Sequence, residues 1–163
     1  MRLFNTASPR QLDLGLLVMR LAAGLVFMMH GGQKLFVYGF QGVTGAFSGM
    51  GVPFADIVGP GVALLEFVGG LALIAGLATR LVGLGLALVM LGALFTVHLA
   101  AGFFLPNGYE FVFTLFAISA GLMFTGAGAL SVDALIARRL SHRGVPRGET
   151  VDRSLPVGAQ RTA

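Results

Sequence analysis

The chain contains no cysteine, and Asp, Glu, Lys and Arg together supply only 11% of its 163 residues. Without cysteine it has no disulfides, thiol relays or thiolate metal sites of its own, so any thiol chemistry belongs to a partner. Charge this sparse excludes a soluble domain, which needs far more polar surface. In its place stand a 56% hydrophobic content and a mean hydropathy of +0.87, the composition of an integral membrane protein. The first apolar run lacks a small-residue cleavage pattern, is interrupted by Arg20 and is followed by "HGGQKLF". It reads as a span and not as a signal peptide.

Four segments reach the roughly 20 residues needed to cross hydrocarbon: Leu12–Phe36, Ile57–Leu77, Leu81–Leu105 and Phe111–Leu130. Each must be helical, because lipid offers the backbone no hydrogen-bond partner. The short connections "ATR" at 78–80 and "PNGYE" at 106–110 make neighbours antiparallel, so the expected fold is an all-α, up-down four-helix bundle. Small residues four apart, Ala72/Gly76, Gly83/Ala87 and Ala117/Gly121, are expected to let backbones approach. The loop 37–56 places Val43, Ala46, Phe47 and Met50 at i, i+3, i+4 and i+7, which predicts a short interfacial helix. Four glycines there, Gly42, Gly45, Gly49 and Gly51, weaken it.

Residues 1–11 form an N-terminal segment, 12–135 the four-span domain, and 136–163 a basic tail too poor in large apolar residues to fold alone. Arg2, Arg10 and Arg80 fall on one side with Arg138, Arg139, Arg143, Arg147, Arg153 and Arg161, against Lys34 on the other. This asymmetry predicts a multi-pass protein of the cell membrane with both termini cytoplasmic. The tail is expected to be drawn to anionic lipid.

Chemistry is left to six ionisable residues in or beside the spans: Arg20, His30, Lys34, Glu66, His98 and Glu110. At 100° per residue, Arg20, His30 and Lys34 share an arc of roughly 80° on the first helix. Gly59, Ala63, Glu66 and Gly70 share a face of the second, and Glu110, Thr114, Gly121 and Thr125 a stripe on the fourth. By the rise of about 1.5 Å per residue, His30 and His98 reach one level, Lys34 and Glu110 the outer edge, and Glu66 and Arg20 lie deeper. The expected site is an outward pocket rimmed by His30, Lys34 and His98. Glu66 forms its floor and Arg20 pairs with that carboxylate. Plainer roles stand beside these: Lys34 snorkelling to headgroups, Arg20 and Glu66 as a structural ion pair, His98 hydrogen-bonded to a neighbouring carbonyl, and Glu110 capping the helix it begins.

The stretches "LGLLVMRLAAGLVFMMHGGQKLF", "GPGVALLEFVGGLALIAGLATRLVGLGLALVMLGALFTVHLAAGFF" and "NGYEFVFTLFAISAGLMFTGAGALSVDAL" resemble the DoxX family of small four-helix membrane proteins over residues 13–135. The shared order is an Arg in the first span, "HGxxK" at its end, Glu before a Gly pair, "TR" before the third span, His near that span's end, and "NGYE" opening the fourth. The basic tail lies outside this pattern. The family takes its name from a small subunit of a membrane quinone-reducing, thiosulfate-oxidising system, with relatives associated with redox and oxidative-stress complexes. The resemblance thus implies a quinone- or quinol-binding role for His30, Lys34, Glu66, His98 and Glu110, alongside a partner oxidoreductase.

Donors such as His and Lys suit a quinone carbonyl, and His and Glu can relay its protons. Two further readings stand beside this one: a non-enzymatic anchor or scaffold for a redox complex, and a small-molecule carrier, including a haem held between His30 and His98. No metal site and no nucleic-acid partner are expected, and the bilayer is the one certain contact. Catalysis by the chain itself and homo-oligomerisation stay open at this point.

Overall fold

Ser8 starts the first span. Its hydroxyl accepts the Gln11 N–H while the Gln11 side chain accepts the Ser8 N–H at 2.8 Å, and Pro9 fills the first helical position. The computed structural model describes residues 7–143. Helix α1 (Pro9–Gly32) continues through a π-helical segment, Gln33–Tyr38, into α2 (Gly39–Gly49). Then come α3 (Ala55–Ala75) and α4 (Thr79–Ala93), the latter extended by a π-helical segment Leu94–His98 and a 3-10 turn Leu99–Ala101. Helices α5 (Glu110–Thr125) and α6 (Val132–Arg143) complete the described chain, which contains no strand.

The architecture is an all-α membrane bundle. Helices α1, α3 and α4, the last with its extension, are long and apolar enough to cross a bilayer. The shorter α5 is equally apolar. It stops at Thr125, before the expected Leu130, because Gly126 and Gly128 adopt φ values of 79° and 74° that end a right-handed helix. The expected interfacial helix is α2, with Val43 buried against Gly59 of α3.

Two helix pairs are built on backbone contact. In the first, α1 lies on α3: a Cβ on Gly31 would collide with the Phe67 backbone, and one on Gly70 with the Met28 nitrogen. In the second, α4 lies on α5, where a Cβ on Gly83 would meet the Ser119 carbonyl oxygen at 2.8 Å. Of the small pairs expected from sequence, Gly83/Ala87 is buried in this second contact. Ala117/Gly121 lies outside it: Gly121 is exposed, and a methyl added there would meet nothing within 4 Å. The closest α1–α3 approach uses Gly24, Gly31 and Gly70, which a search at four-residue spacing passes over.

At one end, here called proximal, three connections are tied together. Asp13 of α1 accepts the Ala129 N–H at 2.7 Å, and Asp133 of α6 accepts the Ala78 and Thr79 N–H groups at 2.8 and 3.0 Å. The α4 N-terminus is therefore capped by a distant carboxylate. Helix α6 itself corrects the expected tail, which was to begin at residue 136. Ser131 caps it by accepting the Ala134 N–H at 3.1 Å, and "DALIARRL" is rich in good helix formers. Residues 144–163 of that tail, and residues 1–6, lie outside the described residues. The distal end holds residues 33–54.

Gly31→Ala and Gly70→Ala should each lower thermal stability in detergent by about 1–3 kcal/mol, the usual cost of overpacking. Gly121→Ala should leave the melting temperature unchanged or raise it. Equal melting of all three would contradict the close α1–α3 contact.

Candidate functional site at the distal end

The α1–α3 contact sets the register on which the site depends. Gly31 faces Phe67, Gly70 faces Met28, and Gly76 faces Arg20. Glu66 is thus level with Gly31 and one turn from Lys34, and Lys34 donates a charge-assisted hydrogen bond to its carboxylate. Only 4% of the Glu66 side chain is exposed, against 24% for Lys34. A carboxylate this deep needs such a partner, because an unpaired buried charge costs several kcal/mol.

The expected Arg20–Glu66 pair does not form. Arg20 lies roughly 17 Å below Glu66 by helical rise, toward the proximal end. Fully buried, its Nη2 donates to the Leu130 carbonyl at 2.6 Å, and the carboxylate whose charge acts on it is Asp133. Gly76, with φ 70°, leaves room for the guanidinium, since a Cβ there would overlap Nη1. Arg20 is a proximal anchor between α1 and the α5–α6 connection. Asp13 and Asp133, which share this end, were passed over in the sequence because they sit at the margins of apolar runs, Asp13 at the start of the first and Asp133 just past the last. The one signal was the Asp133 carboxylate in the first turn of α6.

His30, Lys34, Glu66 and His98 converge. With Phe27, Met90, Phe111 and three neighbours they line a chamber of about 220 Å³ between α1, α3, α4 and α5. His30 packs its ring on Phe111 at 5.9 Å. His98 presents Nδ1 to the Asn107 carbonyl at 3.0 Å. A carbonyl only accepts, so Nδ1 carries a proton, and in the neutral tautomer the lone pair is on Nε2. Lys34 and His98 both lie in π-helical segments. Such turns are rare and concentrate at functional sites, and nothing in the residue pattern announces them.

Lys34, Glu66 and His98 also form the polar end of a larger cavity of about 590 Å³. It occupies the seam between α3 and α4, distal to where Leu65 packs on Gly85. Its walls are apolar, including Val62, Leu88 and Val89, and Phe47 and Met50 of the α2 region cover it. The three ionisable groups therefore stand between the smaller chamber, which also takes in His30, and the apolar cleft.

Glu110 is not in this group. Its carboxylate accepts the Leu105 N–H at 2.9 Å and closes the loop before α5. The polar stripe expected on the fourth span also faces outward. Thr114 and Thr125 are exposed and donate to the Glu110 and Gly121 carbonyls, each at 2.8 Å, while Val112, Leu115, Ser119 and Leu122 are buried. Hydroxyls satisfied by the preceding turn are tolerated against lipid. Among the described residues, no group of three His, Asp or Glu side chains is arranged to hold a metal ion.

A double-mutant cycle separates these pairings. Lys34→Gln and Glu66→Gln should each destabilise the bundle, with a coupling of about 0.5–3 kcal/mol between them, while Arg20→Gln should add to Glu66→Gln within about 0.5 kcal/mol. Thermal melts of the singles and doubles read this directly.

The comparisons with known proteins cover most of this architecture. The model of the DoxX family matches residues 15–99, and that of the "TQO small subunit DoxD" matches residues 61–147. "Putative oxidoreductase CatD" of Bacillus subtilis is 34% identical over 128 residues, covering 78% of this chain and 90% of the relative. "Inner membrane protein YqjF" of Escherichia coli is 36% identical over 132 residues, covering 78% and 95%. An uncharacterized membrane protein of Mycobacterium tuberculosis is 35% identical over 144 residues, covering 79% and 83%. No solved structure matches the chain. The matched segments hold Arg20, the "HGGQK" turn, Glu66, the proximal turn and His98, and the chain belongs to the DoxX family.

Proposed function

We propose that this protein is a quinone- or quinol-binding subunit of a membrane redox assembly and that the partition of Lys34, Glu66 and His98 holds the headgroup. The observation that carries this reading is that Lys34, Glu66 and His98 line two cavities at once: a chamber of about 220 Å³ that also takes in His30, and a 590 Å³ apolar cleft between α3 and α4. An amphipathic ligand with a flat polar head and a long apolar tail matches both halves. The match to a family model described as a TQO small subunit, and the likeness to a relative named an oxidoreductase, support the redox class.

The donor set fits the group. Lys34 offers N–H donors to a carbonyl oxygen, and the neutral His98 offers Nε2 as an acceptor for a hydroxyl. When bound, a quinone supplies reversible two-electron, two-proton chemistry. The chain's own residues orient the head, exclude water through the apolar cleft, and hold protons at Glu66 and at His98 Nε2. Electrons come from a partner, because a chain without cysteine has no dithiol of its own. A haem between His30 and His98 is disfavoured by volume: about 220 Å³ falls below the ~300–1,000 Å³ that drug-sized ligands occupy.

The excess of Lys and Arg in the sequence on the proximal side supports a cytoplasmic orientation for that end and for both termini. The chamber then lies near the outer leaflet. Because the chain has no native cysteine, Ser48→Cys should react with an impermeant thiol reagent in intact cells while Ser141→Cys should not. Labelling at 141 from outside would reverse the orientation.

Lys34→Ala and His98→Ala should each weaken quinone binding by about one to two orders of magnitude, since charge-assisted bonds contribute roughly 1.5–3 kcal/mol. Lys34→Arg should weaken it too. A planar guanidinium does not reproduce the ammonium's geometry beside Glu66, whereas a snorkelling role would accept it. Binding to folded variants in nanodiscs measures this, and full retention in Lys34→Arg and His98→Ala would favour the anchor or scaffold reading.

A further inference from the structure

A third cavity gives His30 a position that no other site residue has. Of about 600 Å³, it lies on the α1–α3 flank, away from the α3–α4 cleft, and is bordered by Met28, Gln33, Phe36, Val37 and Phe67. His30 lines both this outer cavity and the inner chamber, but not the apolar cleft. Lys34, Glu66 and His98 do the reverse, lining chamber and cleft. The order across the distal end is therefore apolar cleft, then the Lys34–Glu66–His98 partition, then chamber, then His30, then outer cavity.

The four groups also differ in freedom. Glu66 is buried and bridged to Lys34, and His98 is pinned through Nδ1 to the Asn107 carbonyl. His30 is exposed, and among the described residues its ring has only the Phe111 contact, with no hydrogen-bond partner for either nitrogen. The charged or titratable groups facing it are Lys34 from its own helix, Glu66 from α3 and His98 from the α4 extension. From α5 comes only the Phe111 ring, since the neighbouring Glu110 is engaged by the Leu105 N–H.

We propose that His30 is the proton port of the chamber, carrying protons between the buried Lys34–Glu66–His98 group and water at the distal surface by a route separate from the apolar entrance. One imidazole nitrogen takes a proton from the chamber side while the other releases one outward, and tautomer exchange resets the ring. One proton moves and no electrons do. An imidazole suits this because its two nitrogens can bind a proton on one side of the ring and release one on the other. Gln33 gives the outer cavity a polar side chain beside His30, whereas beyond the three shared groups the cleft offers only the Thr96 hydroxyl, which already donates to the Gly92 carbonyl. The inference rests on the proposed function for the origin of the proton, but its test needs no quinone.

The test follows the Glu66 carboxyl band by infrared spectroscopy after a pH jump on the intact protein in nanodiscs, with the band assigned by its loss in Glu66→Gln. His30→Gln and His30→Ala should slow protonation of Glu66 by about tenfold or more without changing its final extent, in line with the contribution of a positioned proton carrier. Free imidazole in the buffer should restore the rate in His30→Ala. An unchanged rate in His30→Ala overturns the proposal, as does a Glu66 that takes up no proton between about pH 4 and 9. A melting curve matching the parent confirms that a slowed variant is folded. If quinone fails to bind but the rate still depends on His30, the quinone reading falls and the port stands.

Discussion

A carboxylate placed among apolar helices must be neutralised, and in this bundle the glycine-lined contact between α1 and α3 decides which cation does so. Gly31 and Gly70 bring the two backbones together, and no side chain between them can slide the register. That register delivers Lys34 to Glu66 and leaves Arg20 at the other end. Each distal feature follows: the chamber closes around a bridged pair, and His98 meets it from the far side. The proximal end is held separately by Arg20, Asp13 and Asp133, each bonded to backbone groups of a distant connection.

The bundle is also uneven in a way that serves binding. The α1–α3 and α4–α5 pairs are closed by backbone contact, whereas α3 and α4 meet through the Leu65 side chain on Gly85 and Val82 against Gly69. Distal to that contact their seam holds the 590 Å³ cleft, covered by Phe47 and Met50. Under the proposed function, this looser seam between two tight pairs is where a tail would enter sideways from lipid, with the polar group behind it held in place. The π-helical segments at Gln33–Tyr38 and Leu94–His98 sit on either side of this group. Two of its three partition residues, Lys34 and His98, are carried on them.

Hydropathy and loop length made the fold legible: the spans, the antiparallel order, and the short α2 with Val43 turned inward all follow from runs and periodicity. The nearness of His30, Lys34 and His98 was legible from the shared arc of the first two and the common level of the two histidines, whereas Glu66 was expected deeper, beside Arg20, and stands level with Gly31. The Arg20–Glu66 pairing was misjudged because depth along separate helices says nothing of their relative register, which here depends on glycines seven residues apart on α1. Glu110 and the threonines of α5 were misplaced for a different reason. Local bonds to a loop N–H and to the preceding helical turn satisfy them, so their polarity does not require an inward face. The π turns and the α3–α4 cleft depend on packing between helices, to which a single chain's periodicity is blind.

The central claim is that an amphipathic quinone enters the α3–α4 seam and sets its head against Lys34, Glu66 and His98. Photoaffinity labelling with a tail-tagged azidoquinone, followed by peptide mapping of the intact protein in native membranes, addresses it most directly. The account predicts adducts concentrated on residues 47–52 and 88–97, which line the cleft, and their suppression by excess unlabelled quinone. Adducts spread over the lipid-facing surface of α5, around Phe113 and Phe124, and insensitive to competition would contradict it.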